Sequence, residues 1–299
     1  MVRSIFMSLI ILSGTCAAMA QVDLLFEGYS KIISGDQHIG YVISRYEYDN
    51  KAKQFISTYF LKTGKGPTEV TESLRALSNT DLNPISYEYT TLAGKDSKTI
   101  DAKFKGGTMT ATVNLNGKIQ RVEKKIPKGT FLSTFLVYLM LKSKDGLKAE
   151  TNYQYQAIAE EEADIFEGSA LVGKEETFKG LKAFKVLNTF EDKSKQKKNK
   201  FLSYVNERGE VLGTDALGQN IRTELVATPS EATVGQSYSS TLLKTLFKNI
   251  PAGEANVASR SRQLEEKKSQ APAPTKQMGV PAGQGLIIKA QPEKEESSK

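Results

Sequence analysis

The sequence has one cysteine, one histidine and no tryptophan in 299 residues, and each scarcity closes off a class of chemistry. The cysteine, Cys16, lies in the first twenty residues. The rest of the chain therefore holds neither a disulfide nor a thiolate metal site, and its stability has to come from burial and sheet pairing. Any His-activated nucleophile, His-rich metal site or His acid/base pair would have to use His38. That residue stands beside Gly40 at a hairpin entrance, where a turn or strand-edge histidine is the simpler reading. Without tryptophan there is no indole platform for sugars, although carboxylate pairs for glycoside hydrolysis are a matter of spatial approach that one sequence does not reveal. After Gly28 no apolar run approaches the roughly 18 to 20 residues that cross a bilayer as a helix. The longest, Phe131 to Leu141, is interrupted by Ser133 and Thr134.

Reaction signatures are missing too. There is no Gly-x-Ser-x-Gly, no His-Glu-x-x-His and no dinucleotide fingerprint. Gly64-Lys65-Gly66-Pro67-Thr68 lacks the Walker spacing, and Pro67 removes a backbone donor that a phosphate loop needs. Ser194 and Lys197 have the Ser-x-x-Lys spacing of penicillin-recognising enzymes, but they sit in a polar loop with no apolar helix to deprotonate the lysine. Glu160-Glu161-Glu162-Ala163-Asp164 lacks the spaced Asp/Asn and Gly of a calcium loop and reads as a charged connection between strands. No cofactor or metal is expected.

What is present begins at the first residues. Arg3, an apolar run from Ile5 to Ile11 broken by one serine, and the small residues ending Ala18-Met19-Ala20 have the layout of a secretory signal peptide, residues 1–20, cleaved after Ala20. Lipidation of Cys16 is the alternative, but Ser13-Gly14-Thr15 lacks the apolar residue usual three positions before a lipidated cysteine. A cysteine-free mature chain, soluble or peripheral and periplasmic or secreted, is the expectation. The balance of 41 basic against 34 acidic residues, +7 in all, favours anionic partners weakly. An exported protein meets headgroups and envelope polymers before nucleic acid. With no zinc-finger or RNA-recognition signature and no arginine–aromatic interleaving, nucleic acid is not an expected partner.

From Leu24 to Ala227 the rhythm is one of short alternating segments rich in Tyr, Phe, Val, Ile and Thr, separated by turn residues, which is the strand signature. Ser34-Gly35-Asp36, Asp49-Asn50, Gly94-Lys95-Asp96, Gly106-Gly107, Asn116-Gly117, Lys179-Gly180 and Arg208-Gly209 mark the turns, and Asn-Gly and Gly-Gly supply the positive φ of tight hairpins. The fold class is mainly β: a large curved antiparallel sheet or half-barrel over residues 21–232, with one or two helices packed on it.

Two segments interrupt the rhythm. Phe131 to Leu141, with Thr130 as N-cap, is apolar on nearly every face and reads as a helix buried in the concave side of the sheet, or as a buried strand pair, since periodicity does not separate the two. The second, Ser239 to Ile250 within residues 233–251, reads as an amphipathic helix with Leu242, Leu243, Leu246, Phe247 and Ile250 on one stripe opposite Lys244 and Lys248, and Pro251 stops it. Beyond it, residues 252–299 contain no aromatic and four of the nine prolines, the composition of a disordered tail. Roughly 230 residues remain to build a core, enough for one large domain or two small ones.

Two residue sets are candidate binding groups. Phe131, Phe135, Tyr138 and Leu139 would line an apolar groove in the concavity. Lys193, Lys195, Lys197, Lys198 and Lys200, five lysines in eight residues at an apparent hairpin tip, either keep that hairpin solvated or form an anion-binding finger whose affinity falls with salt.

Gly40-Tyr41, Leu82 to Tyr89 (LNPISYEY), Gly180 to Val186 (GLKAFKV) and Tyr204 to Val211 (YVNERGEV) together resemble a family of secreted bacterial proteins carrying a domain of unknown function, built on a long curved antiparallel sheet and loosely similar to the Lol lipoprotein carriers. The resemblance spans about Leu24 to Ala232 and rests on turn and strand signals. It implies a concavity able to hold acyl chains under helices, and it brings no catalytic set. The sequence thus points to an exported, non-enzymatic envelope protein that binds a partner protein, an apolar ligand or an anionic lipid surface. A lipid or lipoprotein carrier with an apolar groove and a carboxylate-based enzyme are the two rival readings.

Overall fold

The structure of the chain, a computed structural model, describes residues 22–192 and 197–270. The expected signal segment with Cys16, Lys193 and Lys195 lie outside the described residues, as do the side chains of Lys197 and Lys198.

The chain first runs as a meander of eight antiparallel strands: β1 (Val22–Ser34), β2 (Gln37–Asp49), β3 (Gln54–Thr63), β4 (Val70–Asn79), β5 (Pro84–Ala93), β6 (Asp96–Lys105), β7 (Thr108–Leu115) and β8 (Lys118–Lys125). Hairpin chemistry sets these junctions. Between β7 and β8, Asn116 and Gly117 both take positive φ, 51° and 82°, as a two-residue primed turn demands. Inside the strands the alternation holds: Leu74, Ala76 and Ser78 of β4, Ile100 and Ala102 of β6, and Met109 and Ala111 of β7 are buried, while β8 is almost wholly exposed.

From β8 the chain crosses to the opposite edge and returns. β9 (Phe131–Leu132) and α1 (Leu136–Lys142) come first, then β10 (Asn152–Ala159), β11 (Asp164–Phe178), β12 (Leu181–Asp192), β13 (Lys197–Val205), β14 (Val211–Ala216) and β15 (Ile221–Val226). Among the described residues the strands form one sheet, ordered β8 to β1 and then β15 to β9. Every neighbouring pair is antiparallel except β9 with β10. The first and last strands meet in the middle, with Tyr29 of β1 opposite Ile43 of β2 on one side and Val226 of β15 on the other.

The sheet curls but does not close. Leu74, Tyr87, Ile100 and Met109 from one wing pack with Phe131, Leu132, Phe135 and Ile158 from the other, and Lys124 of β8 reaches Asp164 of β11 at 2.5 Å. β8 and β9 nevertheless remain the two ends of the hydrogen-bonded order. Met140 of α1 packs on Ala170, Val172, Val186 and Val205 of the second wing. Burying one large apolar side chain contributes about 1.5–3 kcal/mol, which explains why the most apolar segment of the chain fills the concavity.

That segment is not one helix. Phe131 and Leu132 pair with Ala157 and Ile158, a 3-10 turn covers Ser133–Phe135, and only Leu136–Lys142 is α-helical. The open edge of β10 offers backbone partners that two apolar residues satisfy while buried on both sides. Thr130 does not cap the helix: its hydroxyl is buried without a partner. The Glu160 carboxylate accepts from Thr134 N at 3.2 Å instead.

On the convex face lie α2 (Pro229–Thr233), α3 (Ser240–Phe247) and α4 (Val257–Gln270). Ser239 caps α3 by accepting from Leu242 N at 3.2 Å, and Lys248, at φ 66°, ends it. Leu243, Leu246 and Phe247 pack on Tyr29, Tyr41, Ile43 and Phe60, whereas Leu242 and Ile250 of the expected stripe face solvent. Residues 252–270, expected within the tail, carry α4 and pack against the sheet. Glu27 N donates to Ala255 O at 3.1 Å, Gly253 N donates to Glu27 Oε1 at 2.7 Å, and Asn256, fully buried, donates to Glu27 O at 3.0 Å. This stretch is held by polar pairing, which a composition poor in aromatics does not register. The rest of the expected tail, from 271, lies outside the described residues.

Candidate functional site

α1 divides the concavity. Of the four apolar candidates, Phe131 and Phe135 are wholly buried in the first core, so they fill the concavity and do not wall a groove. Tyr138 and Leu139 are half-buried on the helix flanks. Tyr138 lines a chamber of about 240 Å³ between α1 and the inner face of the sheet centre. The apolar walls of the chamber are Phe26, Val42, Tyr46, Val137 and Val211, and Ser30, Ser44, Thr214 and Thr223 contribute polar groups. Gly209 makes the fit possible: a Cβ there would meet Leu141 Cδ1 at 2.5 Å and Val137 Cγ1 at 2.8 Å.

On the opposite flank is a cleft of about 220 Å³. It is lined by Leu136 and by four rings on the inner faces of β10 to β13, namely Tyr155, Phe166, Phe190 and Phe201. Successive rings meet edge to face, with centroids 6.2, 5.6 and 6.2 Å apart. Gly168 admits this arrangement, because a Cβ there would lie 2.5 Å from the Tyr155 ring.

Between the two sits a buried polar knot. Ser133 Oγ donates to Glu160 Oε2 at 2.5 Å, Thr134 Oγ1 and Ser57 Oγ are 2.7 Å apart, and Tyr46 donates to Thr134 O at 3.0 Å. Burial pushes the Glu160 carboxyl up to about 7, against the Ser133 and Thr134 hydrogen bonds that favour its ionised form. Burial likewise raises the Tyr46 phenol. The knot fixes the start of α1 against both wings.

The remaining candidates do not join this region into a reactive set. His38 Nε2 is 2.9 Å from Gly40 O at the strand edge. Lys200 is exposed on β13, and the backbones of Lys197 and Lys198 pair with Asp192 and Glu191. Among the described residues, no three His, Cys, Asp or Glu side chains are grouped to hold a metal ion, and no helix is long and apolar enough to cross a membrane.

Neither the inward turn of Glu160, expected in a charged connection between strands, nor the four-ring row has a local signal in the sequence. Alternation alone places each ring on a strand face, but the row needs the order β10-β11-β12-β13, which only the fold supplies. Glu160 looked like one of three consecutive acids in a solvated turn, and nothing local marks which of the three turns inward.

No protein-family model matches the chain, and no curated protein matches it in sequence. Among solved structures, a β-barrel-like protein of domain of unknown function DUF1849 from Brucella abortus is similar over 67% of this chain and 96% of that one, at 12% sequence identity and a TM-score of 0.46.

Proposed function

We propose that this chain is an exported, non-enzymatic binding module of the cell envelope that holds one small apolar ligand in the chamber beside Tyr138. The chamber itself carries the reading. Ligand sites are concave and mostly apolar, with a few polar groups that fix orientation. A space of about 240 Å³ walled by Phe26, Val42, Tyr46, Val137, Tyr138 and Val211 therefore suits an occupant. It lies below the roughly 300 to 1,000 Å³ of drug-sized ligand sites, so a short apolar molecule fits and the several acyl chains of a lipoprotein do not. Ser30 and Ser44 add hydroxyls to this lining, while those of Thr214 and Thr223 lie 2.8 Å apart and engage each other, which suits a ligand with little polar surface. Export rests on Arg3, the apolar run after it and Ala18-Met19-Ala20.

The test is native mass spectrometry of protein purified from its own envelope, beside a Ser44→Phe variant whose ring occupies the chamber. Wild type retains a small apolar molecule, the variant does not, and the mature chain begins at Gln21. Wild type without any retained molecule, or equal retention by the variant, overturns the ligand reading. An uncleaved N-terminus overturns export.

A further inference from the structure

The sheet ends at β8 with one side of that strand unpaired. Among the described residues its only strand neighbour is β7, whereas β9, at the other end, is two residues long and both its side chains are buried. The hairpin turn fixes which backbone groups of β8 stay free. Leu115 and Lys118 flank the two-residue turn, so they exchange both ladder bonds, and the antiparallel alternation then directs Gln120, Val122 and Lys124 to β7 as well. Ile126 N, which donates to Gly107 O at 2.8 Å, keeps the same phase. Ile119, Arg121, Glu123 and Lys125 therefore turn their N–H and C=O groups to the open edge. All four are exposed, and Ile119, at 70%, is the most exposed large apolar side chain among the described residues. Across the hairpin, Arg121 and Glu123 face only Thr112 and Thr110 of β7.

We propose that two copies of this chain pair β8 with β8, antiparallel and about a two-fold axis at Val122, so that the sheet of one copy continues into the other. Hydrogen bonding and charge select the same register. Free-edge residues have to stand opposite free-edge residues, so the axis passes through a residue and not between two. An axis at Arg121, Glu123, Lys124 or Lys125 sets like charges face to face, and an axis nearer the turn pairs fewer residues. At Val122, Arg121 of each copy faces Glu123 of the other, Ile119 faces Lys125, Gln120 faces Lys124, and the two half-buried Val122 side chains meet. No like charges are opposed in this register, and opposite charges across strands favour pairing. Lysines ordinarily blunt an edge, but Lys124 shares the inner face with Val122 and pairs with Asp164 at 2.5 Å. One strand pair buries less than the roughly 1,200–2,000 Å² of standard interfaces, so the dimer is weak and forms at high concentration. β8 takes no part in the chamber beside Tyr138, and the dimer is independent of that reading.

The experiment is sedimentation velocity of the full chain over the widest accessible concentration range, at low and high salt. The expected result is a reversible dimer, weakened by salt. Arg121→Glu and Glu123→Arg should each weaken it at least about tenfold, because both symmetry-related pairs turn from attraction to repulsion. Both positions are exposed, so the melting temperature should not change. An equimolar mixture of the two variants, and the variant carrying both substitutions, should regain the dimer, since each restores opposite charges across the axis. In a Cys16→Ser background, Val122→Cys should link two chains under mild oxidation, because opposed residues of a non-hydrogen-bonded pair have Cα atoms about 4.5 Å apart, within disulfide reach. Ile119→Cys, well off the axis, should not. A monomer at every concentration, undiminished association in the single variants, no recovery in the mixture, or linkage through Ile119→Cys in place of Val122→Cys overturns the proposal. Ser44→Phe fills the chamber far from β8 in sheet order and leaves the association unchanged, so this outcome is separate from that of the ligand test.

Discussion

Arg45 and Glu27 stand directly opposite each other on β2 and β1, joined as a buried ion pair on the convex face with Arg45 Nε 2.7 Å from Glu27 Oε2. Neither charge relies on the other alone. Arg45 also donates to Phe247 O at 2.6 Å and to Asn249 Oδ1 at 2.7 Å, and its guanidinium lies 5.2 Å from the centre of the Phe247 ring. Glu27 accepts from Gly253 N at 2.7 Å. The pair is thus a two-sided fastening that ties the end of α3 and the 253–256 stretch to the centre of the sheet.

Removing one partner strands a buried charge, which costs about 3–5 kcal/mol, whereas replacing both by apolar side chains of similar volume is often close to neutral. Glu27→Ala and Arg45→Ala should each lower the urea midpoint strongly and expose residues 248–260 to protease. Glu27→Leu with Arg45→Met should recover much of the midpoint. A double variant as unstable as the single ones would show that the hydrogen bonds to α3 and Gly253, more than charge balance, matter at this site.

Truncation tests the same fastening from the other end. A chain ending at Pro251 loses Gly253 N, Asn256 and Arg260, the last of which pairs with the buried Glu210. A chain ending at Gln270 keeps all of them. The first should melt several degrees lower, at roughly 2–4 °C per kcal/mol for a domain of this size. Identical melting curves would count against these contacts as stabilising ones.

Glu160 gives stability a pH dependence of definite sign. Its carboxyl is raised from 4.5 to about 7 by burial. Below 4.5 both folded and unfolded chains hold the proton. Between 4.5 and about 7 only the folded chain does, so stability falls as pH rises through that window, by up to about 1.4 kcal/mol per unit. Glu160→Gln keeps an acceptor for Ser133 and Thr134 and should flatten that slope in denaturant titrations at pH 4.5, 6 and 7.5. An unchanged slope would assign the dependence to other groups.

Gly40 and Gly66 separate crowding from backbone strain. A Cβ on Gly40 would lie 2.1 Å from Lys62 O on the neighbouring strand, a backbone clash that forces β2 from β3. Gly66, at φ 58°, faces open space, so alanine there carries only the left-handed penalty of about 1–2 kcal/mol. Gly40→Ala should therefore be much the more destabilising in chemical denaturation.

Turn chemistry and strand alternation make most of the architecture legible in the sequence alone. Asn116-Gly117 and Lys179-Gly180 turn where the residue types require it, with positive φ at all four positions, and α3 follows from its apolar stripe. These signals are local, and they say which face a side chain takes, not which strand lies next door. Hence the pairing of β1 with β15, the row from Tyr155 to Phe201 and the inward turn of Glu160 were not readable. The 252–270 stretch escaped for another reason: its contacts are hydrogen bonds from Gly253, Asn256 and Ser259, residues that composition counts as loop formers.

The meeting of β1 and β15 at the sheet centre sets an order of events in folding. β1 finds β2 across a two-residue turn as soon as both have emerged, but its other side waits for Ile221–Val226, about two hundred residues later. A wing of hairpins formed before β15 arrives would present β1 as a bare edge, the kind of surface that recruits other chains. Closing it demands a contact of very long sequence separation, which slows folding. A chain truncated before Ile221 should therefore aggregate more readily on refolding than the full chain, read by light scattering after dilution from urea.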